Sequence, residues 1–297
     1  METADVTITP ELLRRLLDQQ FPDLAELPIG ELFRGWDNTT ARLGSELAIR
    51  LPHRPIGART TADEVAWLPR LAPHLPLPVP VPLRFGSPAF GYPWRWSVCR
   101  WVPGESVLQA PWDAPDAAAF ALAEFLQALH RPAPADAPDN PFRAVPLVDR
   151  QADVERLLGE FTDYPDPRVD TVALETRWCE AMAAPAYSGP PVWVHGDLHP
   201  GNLVVHRGRL AGVIDFGDLC AGDPAVDFAI GWMAFEGSGR SALRESATVD
   251  DDTWLRAGGW AVLLGLVMVS DSRAGAELAR VGARTLGAIA EGVGVES

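Results

Sequence analysis

VWVHGDLHPGNLVV, residues 192–205, sets two histidines, an aspartate and an asparagine between runs of valine and leucine. Apolar flanks of this kind read as short buried strands, so the polar residues from His195 to Asn202 belong to a loop that the core holds in place. The next stretch, VVHRGRLAGVIDFGD, reads as a hairpin: a strand at 203–205, a turn near Arg207 and Gly208, a strand at 210–214, then Asp215. A hairpin returns its two ends to each other, which predicts Asn202 and Asp215 as neighbours with Asp197 on the loop beside them. An amide and a carboxylate are oxygen ligands suited to Mg²⁺, which takes water and phosphate oxygens for the rest of its shell. Asp197 is then left for proton chemistry. Phosphoryl transfer needs this set: a metal and nucleotide held, a hydroxyl oriented, and its proton accepted.

Composition bounds the reading. The chain has 297 residues, 47% hydrophobic and 22% charged, which fits one large or two linked folded domains. Its net charge of −15 is uneven: residues 1–102 carry 11 acids against 11 arginines, and residues 103–297 carry 29 against 14. That balance excludes nucleic acid as a partner, since phosphate binding needs a basic surface. An acidic second part suits a cationic small-molecule ligand, although solubility alone also accounts for acidic surfaces. There is no lysine, and all 25 basic side chains are arginine. No window reaches the roughly 18 to 20 uninterrupted apolar residues of a membrane span. The stretch METADVTITP has neither a basic region nor an apolar leader core, so no membrane association and a cytoplasmic location are expected. Cys99, Cys179 and Cys220 are widely spaced and odd in number, and read as small hydrophobes rather than a disulfide framework or zinc site. Oligomeric state has no signal in the sequence.

Thr9, Pro10 and Glu11 form a helix start, with a helix of about ten residues to follow. TTARLGSELAIRLP alternates in polarity on both sides of Gly44 and Ser45, which predicts a two-residue hairpin turn with Leu47 and Ile49 facing one way and Arg50 the other. Residues 60–72 read as a short helix, LPLPVPVPLRFG as an irregular edge strand, and YPWRWSVCRWV as a buried strand. After VPGES the character changes. Helical periodicity marks DAAAFALAEFLQALH, residues 151–161 and 170–184, and two tail segments from Asp251 and Ala274. RPAPADAPDNPFRAVP carries five prolines and is a loop. A strand-rich N-terminal lobe, residues 1–102, thus precedes a helical lobe, residues 103–297.

The spacing of His195, Asp197, Asn202 and Asp215 matches the catalytic signature of protein kinases. In detail, HGDLHPGN resembles the aminoglycoside phosphotransferase family, which includes macrolide and other antibiotic kinases, and IDFGDLCAGDPAVDFA is similar to that family's second motif. The resemblance implies an α+β, protein-kinase-like two-lobe fold with a catalytic hairpin, and transfer of the γ-phosphate of ATP or GTP to a small-molecule hydroxyl with Mg²⁺. It makes Asp197 the catalytic base, His195 a brace of the loop, Asn202 and Asp215 the metal ligands, and Asp227 an anchor below the loop. It places purine recognition by backbone groups within Cys99, Arg100, Trp101 and Val102, and gives the phosphate-covering role to GWDNTT, residues 35–40. The family's phosphate-holding lysine and its helix glutamate are matched by Arg50 and Glu64.

An aminoglycoside or other amino-sugar acceptor is favoured by the acidic second lobe, with macrolides, nucleoside antibiotics and small metabolites as alternatives. Asp218, Asp223, Glu236 and Trp232 are the candidate acceptor-facing residues. A binding-only pseudokinase is a further alternative. A hydrolase metal cluster of His195, Asp197 and His199 is the remaining rival, lacking an evident fourth ligand among His53, His74, His130 and His206. Trp193, Trp232, Trp254 and Trp260 read first as core.

Overall fold

Thr9 caps the first helix, α1 (Pro10–Gln20): its hydroxyl accepts from the Leu12 N–H at 3.2 Å, and Pro10 sits where a missing N–H costs nothing. The computed structural model describes residues 6–163, 169–271 and 275–292. Residues 1–5, the start of METADVTITP, lie outside these, as does Ala274 at the head of the last expected helix. The chain divides into two units, Met1–Pro103 with Ala211–Gly217, and Gly104–Leu210 with Asp218–Ser297. The contiguous division expected at 102/103 therefore lacks one return: the end of the hairpin, with Asp215, groups with the first unit.

In the first unit β1 (Ile29–Arg34), β2 (Asn38–Leu43), β3 (Leu47–Pro52), β4 (Pro82–Gly86) and β5 (Trp96–Arg100) form an antiparallel sheet in the order β1-β2-β3-β5-β4. The two-residue period of β3 sorts its faces. Ile49 joins Leu13, Leu16 and Leu17 of α1 in a buried cluster, while Arg50 is buried against Glu64 of α2 (Pro55–Leu71). β4, which starts with a proline, lies at the sheet edge, where a missing N–H is tolerated. Two expectations need correction. Leu43 pairs with Leu47, so Gly44, Ser45 and Glu46 make a three-residue turn, with Gly44 at φ +63°. The helix expected from residue 60 begins at Pro55, because proline is tolerated at the first helical position.

In the second unit the helices are α3 (Pro115–Leu129), α4 (Gln151–Asp163), α5 (Thr171–Ala183), α6 (Ala225–Phe228), α7 (Ile230–Ala234), α8 (Gly237–Ser246), α9 (Asp251–Ser270) and α10 (Gly275–Glu291). α9 is long and apolar enough to cross a membrane, but 67% of its apolar window is buried inside the protein, against α5, α6 and α10. The short strands are β6 (Glu105–Ser106), β7 (Val192–Val194), β8 (Leu203–His206), β9 (Arg209–Val213) and β10 (Cys220–Gly222), with β9 running on into the first unit. β8 turns into β9 through Arg207 and Gly208, both at positive φ, the geometry that a tight hairpin requires. β10 pairs with β7, Cys220 opposite Val194, which fixes the start of the polar loop that begins at His195. The proline-rich segment runs along β10: Ala221 N–H donates to Pro138 and Asp223 N–H to Ala144. All three cysteines are free; Cys99 and Cys220 are buried and their thiols pushed up by burial, Cys99 to about 12, while Cys179 is exposed on α5, contrary to expectation.

Gly104, at the boundary of the two units, has φ +137°, and a Cβ there would lie 2.3 Å from the Val205 carbonyl oxygen. Gly104→Ala is expected to cost about 1–3 kcal/mol of stability through this overlap. A melting curve identical to wild type contradicts the packing described.

Candidate active site

The loop after β7 is built on one buried carboxylate. Asp227 of α6 is fully buried; its Oδ2 accepts from the His195 N–H at 2.8 Å and its Oδ1 from the Gly196 N–H at 2.9 Å. His130 Nε2 lies 3.0 Å from the same Oδ2. Presenting two successive N–H groups to one carboxylate turns the chain sharply at Gly196, φ +82°, where a Cβ would lie 2.5 Å from the Asp218 carbonyl oxygen. His195 is also fully buried, and its Nδ1 accepts from the Asp197 N–H at 3.2 Å. On the other side, Asn202 Nδ2 donates to the Asp197 carbonyl at 2.8 Å. The Asp197 backbone is thus gripped before and after, and its carboxylate is left 30% exposed. The same bond turns the Asn202 amide so that its oxygen, the atom a hard cation takes, accepts no hydrogen bond from a described residue.

Sequence reasoning missed Arg143. This arginine of the proline-rich segment donates from Nη2 to Asp197 Oδ1 at 3.2 Å, and the same nitrogen lies 3.9 Å from Asp218 Oδ2. Asn140, three residues earlier, donates to Asp218 Oδ1 at 2.7 Å. On the other side of the base, His199 Nε2 lies 3.7 Å from Asp197 Oδ2. Burial works to lower the guanidinium pKa of Arg143, but the carboxylates of Asp197 and Asp218 and the hydrogen bond to Asp197 outweigh it and raise it. The one available signal was that Arg143 is the sole basic residue between Arg131 and Arg150.

In the first unit Arg50 meets two carboxylates. Nη1 donates to both Glu64 oxygens at 2.7 Å, and Nη2 donates to Asp215 Oδ1 at 2.6 Å. Burial is again opposed by Glu64 and Asp215, which keep the guanidinium firmly charged. Asp215 stands at φ +63°, an uncommon backbone for a residue with a side chain, and that side chain is 53% exposed. Among Cys99, Arg100, Trp101 and Val102, Arg100 N–H donates to Val81 and Trp101 N–H to Glu46, whereas the backbone of buried Val102 enters no hydrogen bond with a described residue. Gly35–Asp37 of GWDNTT form the β1–β2 turn, held by the His53 N–H donating to Asp37 at 2.8 Å.

The candidate acceptor residues are not brought into one group. Asp218 is held by Asn140 beside Asp197. Asp223 is buried, both oxygens spent on Arg256 of α9 and one also on the Ala225 N–H. Glu236 is exposed at the head of α8. Trp232 is partly exposed, its ring 4.5 Å from that of Trp254 with the Arg240 guanidinium 5.6 Å above it. No group of three His, Cys, Asp or Glu among the described residues is arranged to hold a metal ion.

The chain matches the phosphotransferase enzyme family over residues 25–263, most of its length, and belongs to that family. It is 31% identical over 140 residues to an aminoglycoside 3'-phosphotransferase of Salmonella typhimurium, covering 46% of this chain and 51% of the relative. It is 30% identical over 179 residues to an aminoglycoside 3'-phosphotransferase of Escherichia coli, covering 59% of this chain and 64% of the relative. The match thus spans between half and two thirds of the length of these relatives. The structure of the GDP and kanamycin complex of APH(2'')-IIIa superposes with a TM-score of 0.71 at 22% identity, covering 94% of this chain and 98% of that one. The fold is therefore the α+β, kinase-like one that the resemblance implied.

Asp227→Ala removes the acceptor for two buried N–H groups, at about 1–3 kcal/mol each. Lost stability together with lost activity is expected, read by denaturant melts and turnover. Asp223→Ala is expected to destabilise by about 3–5 kcal/mol, because it strands the buried Arg256 cation. A stable Asp223→Ala protein altered only in acceptor affinity contradicts the buried-pair assignment.

Proposed function

We propose that the chain transfers the γ-phosphoryl group of ATP or GTP to a hydroxyl of a small antibiotic, with an aminoglycoside-like acceptor favoured. The observation that carries this reading is the grip on Asp197: a carboxylate kept partly exposed while its backbone is fixed by His195 and Asn202. A base with that placement suits the accepted proton of phosphoryl transfer, in which little else is covalent. The acceptor oxygen bonds to phosphorus as the bond from phosphorus to the bridging oxygen breaks. The nucleoside diphosphate keeps that electron pair, and the hydroxyl proton goes to Asp197.

Arg50, oriented by Glu64, supplies the cation for the nucleotide phosphates that lysine commonly supplies, through a forked rather than a point contact. The backbone groups of Val102, which enter no hydrogen bond with a described residue, suit the purine edge. The Asn202 amide oxygen and, in the first unit, the Asp215 carboxylate are each the kind of oxygen that Mg²⁺ takes as a ligand; the ion would neutralise charge on the phosphates. The acidic second part of the chain, 29 acids against 14 arginines, supports a cationic acceptor, as do the names of the relatives.

Asp197→Ala is expected to lower transfer by roughly 10² to 10⁴ while nucleotide binding persists. Normal turnover in that variant means that another group takes the proton. Arg50→Ala should raise the nucleotide KM and slow transfer, with a charge-assisted contact worth about 1.5–3 kcal/mol lost. Arg50→Lys should restore part of the loss, and Glu64→Gln should give a milder defect that is not additive with Arg50→Ala. Steady-state kinetics at saturating acceptor measure all four. Unchanged nucleotide KM and rate in Arg50→Ala reject the role.

A further inference from the structure

Arg143 has more hydrogen-bond donors than it uses. A guanidinium carries five N–H bonds. Here Nη2 meets Asp197 Oδ1 at 3.2 Å, Nη1 makes a long contact of 3.4 Å to the Phe142 carbonyl, and the buried Nε has no partner among the described residues. A buried donor left unpaired costs about 1–3 kcal/mol, and such groups persist where a ligand completes them.

The position is also built rather than incidental. The segment from Pro138 to Ala144 is tied at one end to β10, through Ala221, and at the other to Asp223 just beyond it, and Asn140 clamps its middle to Asp218. Ala144, which follows Arg143 directly, is buried at φ +54°, a conformation an alanine adopts only when its surroundings impose it. This backbone aims an arginine at Asp197.

Resting on the phosphotransferase reading, we propose that Arg143 is a catalytic residue that donates to the oxygens of the phosphoryl group in flight. Distance supports it. The hydroxyl oxygen that gives its proton to Asp197 lies about 3 Å from that carboxylate, and phosphorus lies about 3 to 3.5 Å further on. A guanidinium whose Nη2 is 3.2 Å from Asp197 Oδ1 falls within the same few ångströms. The pair with Asp197 and Asp218 holds the arginine ready and charged before reaction. Its spare N–H groups are acceptor-seeking, which suits phosphoryl oxygens and not an ammonium group of an antibiotic. The negative charge spread over those oxygens in the transition state would be met by a fixed cation, the use to which arginine is put in other phosphoryl-transfer sites.

A transition-state mimic tests this without knowledge of the acceptor. ADP or GDP with Mg²⁺ is titrated into wild type, Arg143→Met and Arg143→Lys by calorimetry, with and without aluminium fluoride, which stands in for the phosphoryl group. Wild type should gain affinity when aluminium fluoride is added. Arg143→Met should lose most of that gain, Arg143→Lys should keep part of it, and all three should bind the diphosphate alone equally. Once an acceptor is found, Arg143→Met should lower kcat by roughly 10²- to 10³-fold with little change in nucleotide KM. An aluminium fluoride gain of equal size in wild type and Arg143→Met overturns the assignment, as does a larger gain in Arg143→Met, which would mean that the arginine blocks the site. Wild type that binds neither ADP nor GDP overturns the phosphotransferase reading, and this inference with it.

Discussion

The buried carboxylate of Asp227 is the constraint on which the second unit's chemistry depends. It has no exposure to water, so its charge must be met inside the protein, and it is met by the successive N–H groups of His195 and Gly196 and by His130. Those two N–H groups can face one carboxylate only if the chain turns at a glycine. The turn puts the Asp197 N–H on the His195 ring and the Asp197 carbonyl within reach of the Asn202 amide. Positioning of the candidate base is thus a backbone property, set several bonds away from its own carboxylate. Its carboxylate is then engaged among the described residues by Arg143 and His199 alone.

The first unit solves the same problem with the signs exchanged. Arg50 is a buried cation, and Glu64 and Asp215 are the anions that make its burial tolerable. In a chain without lysine, every side chain that is a permanent cation is a guanidinium. Its planar fork can serve two carboxylates at once, and Arg50 does so with separate nitrogens. Arg256 with Asp223 and Arg143 with Asp197 are further guanidinium–carboxylate pairs in the second unit.

The parts of the fold legible in the sequence were those carried by short-range signals. Thr9-Pro10 announced α1, the alternation in LAIRLP announced the two faces of β3, and the spacing from His195 to Asp215 announced the loop and hairpin. What stayed hidden depended on tertiary partners. β1 has no clean alternation because its residues are at most half-buried, and α2 was started late because Pro55 reads equally as a breaker or a first helical residue. Asp223 looked like an acidic residue open to a ligand, and only the position of Arg256, 33 residues on, shows it to be a buried partner. Arg143 was illegible for the same reason: nothing in a proline-rich loop states that it will lie beside a residue 54 positions away.

Transfer of a phosphoryl group to a hydroxyl by way of Asp197 leaves a product that can be weighed. Mass spectrometry of the acceptor after incubation with the protein, Mg²⁺ and ATP or GTP tests it most directly, with a panel of aminoglycosides followed by macrolides and other hydroxyl-bearing antibiotics. One acceptor class is expected to gain the mass of a single phosphoryl group with wild type, and Asp197→Ala to yield almost none. A folded wild-type protein that leaves every acceptor unmodified, or an Asp197→Ala protein that phosphorylates as fast as wild type, would contradict it.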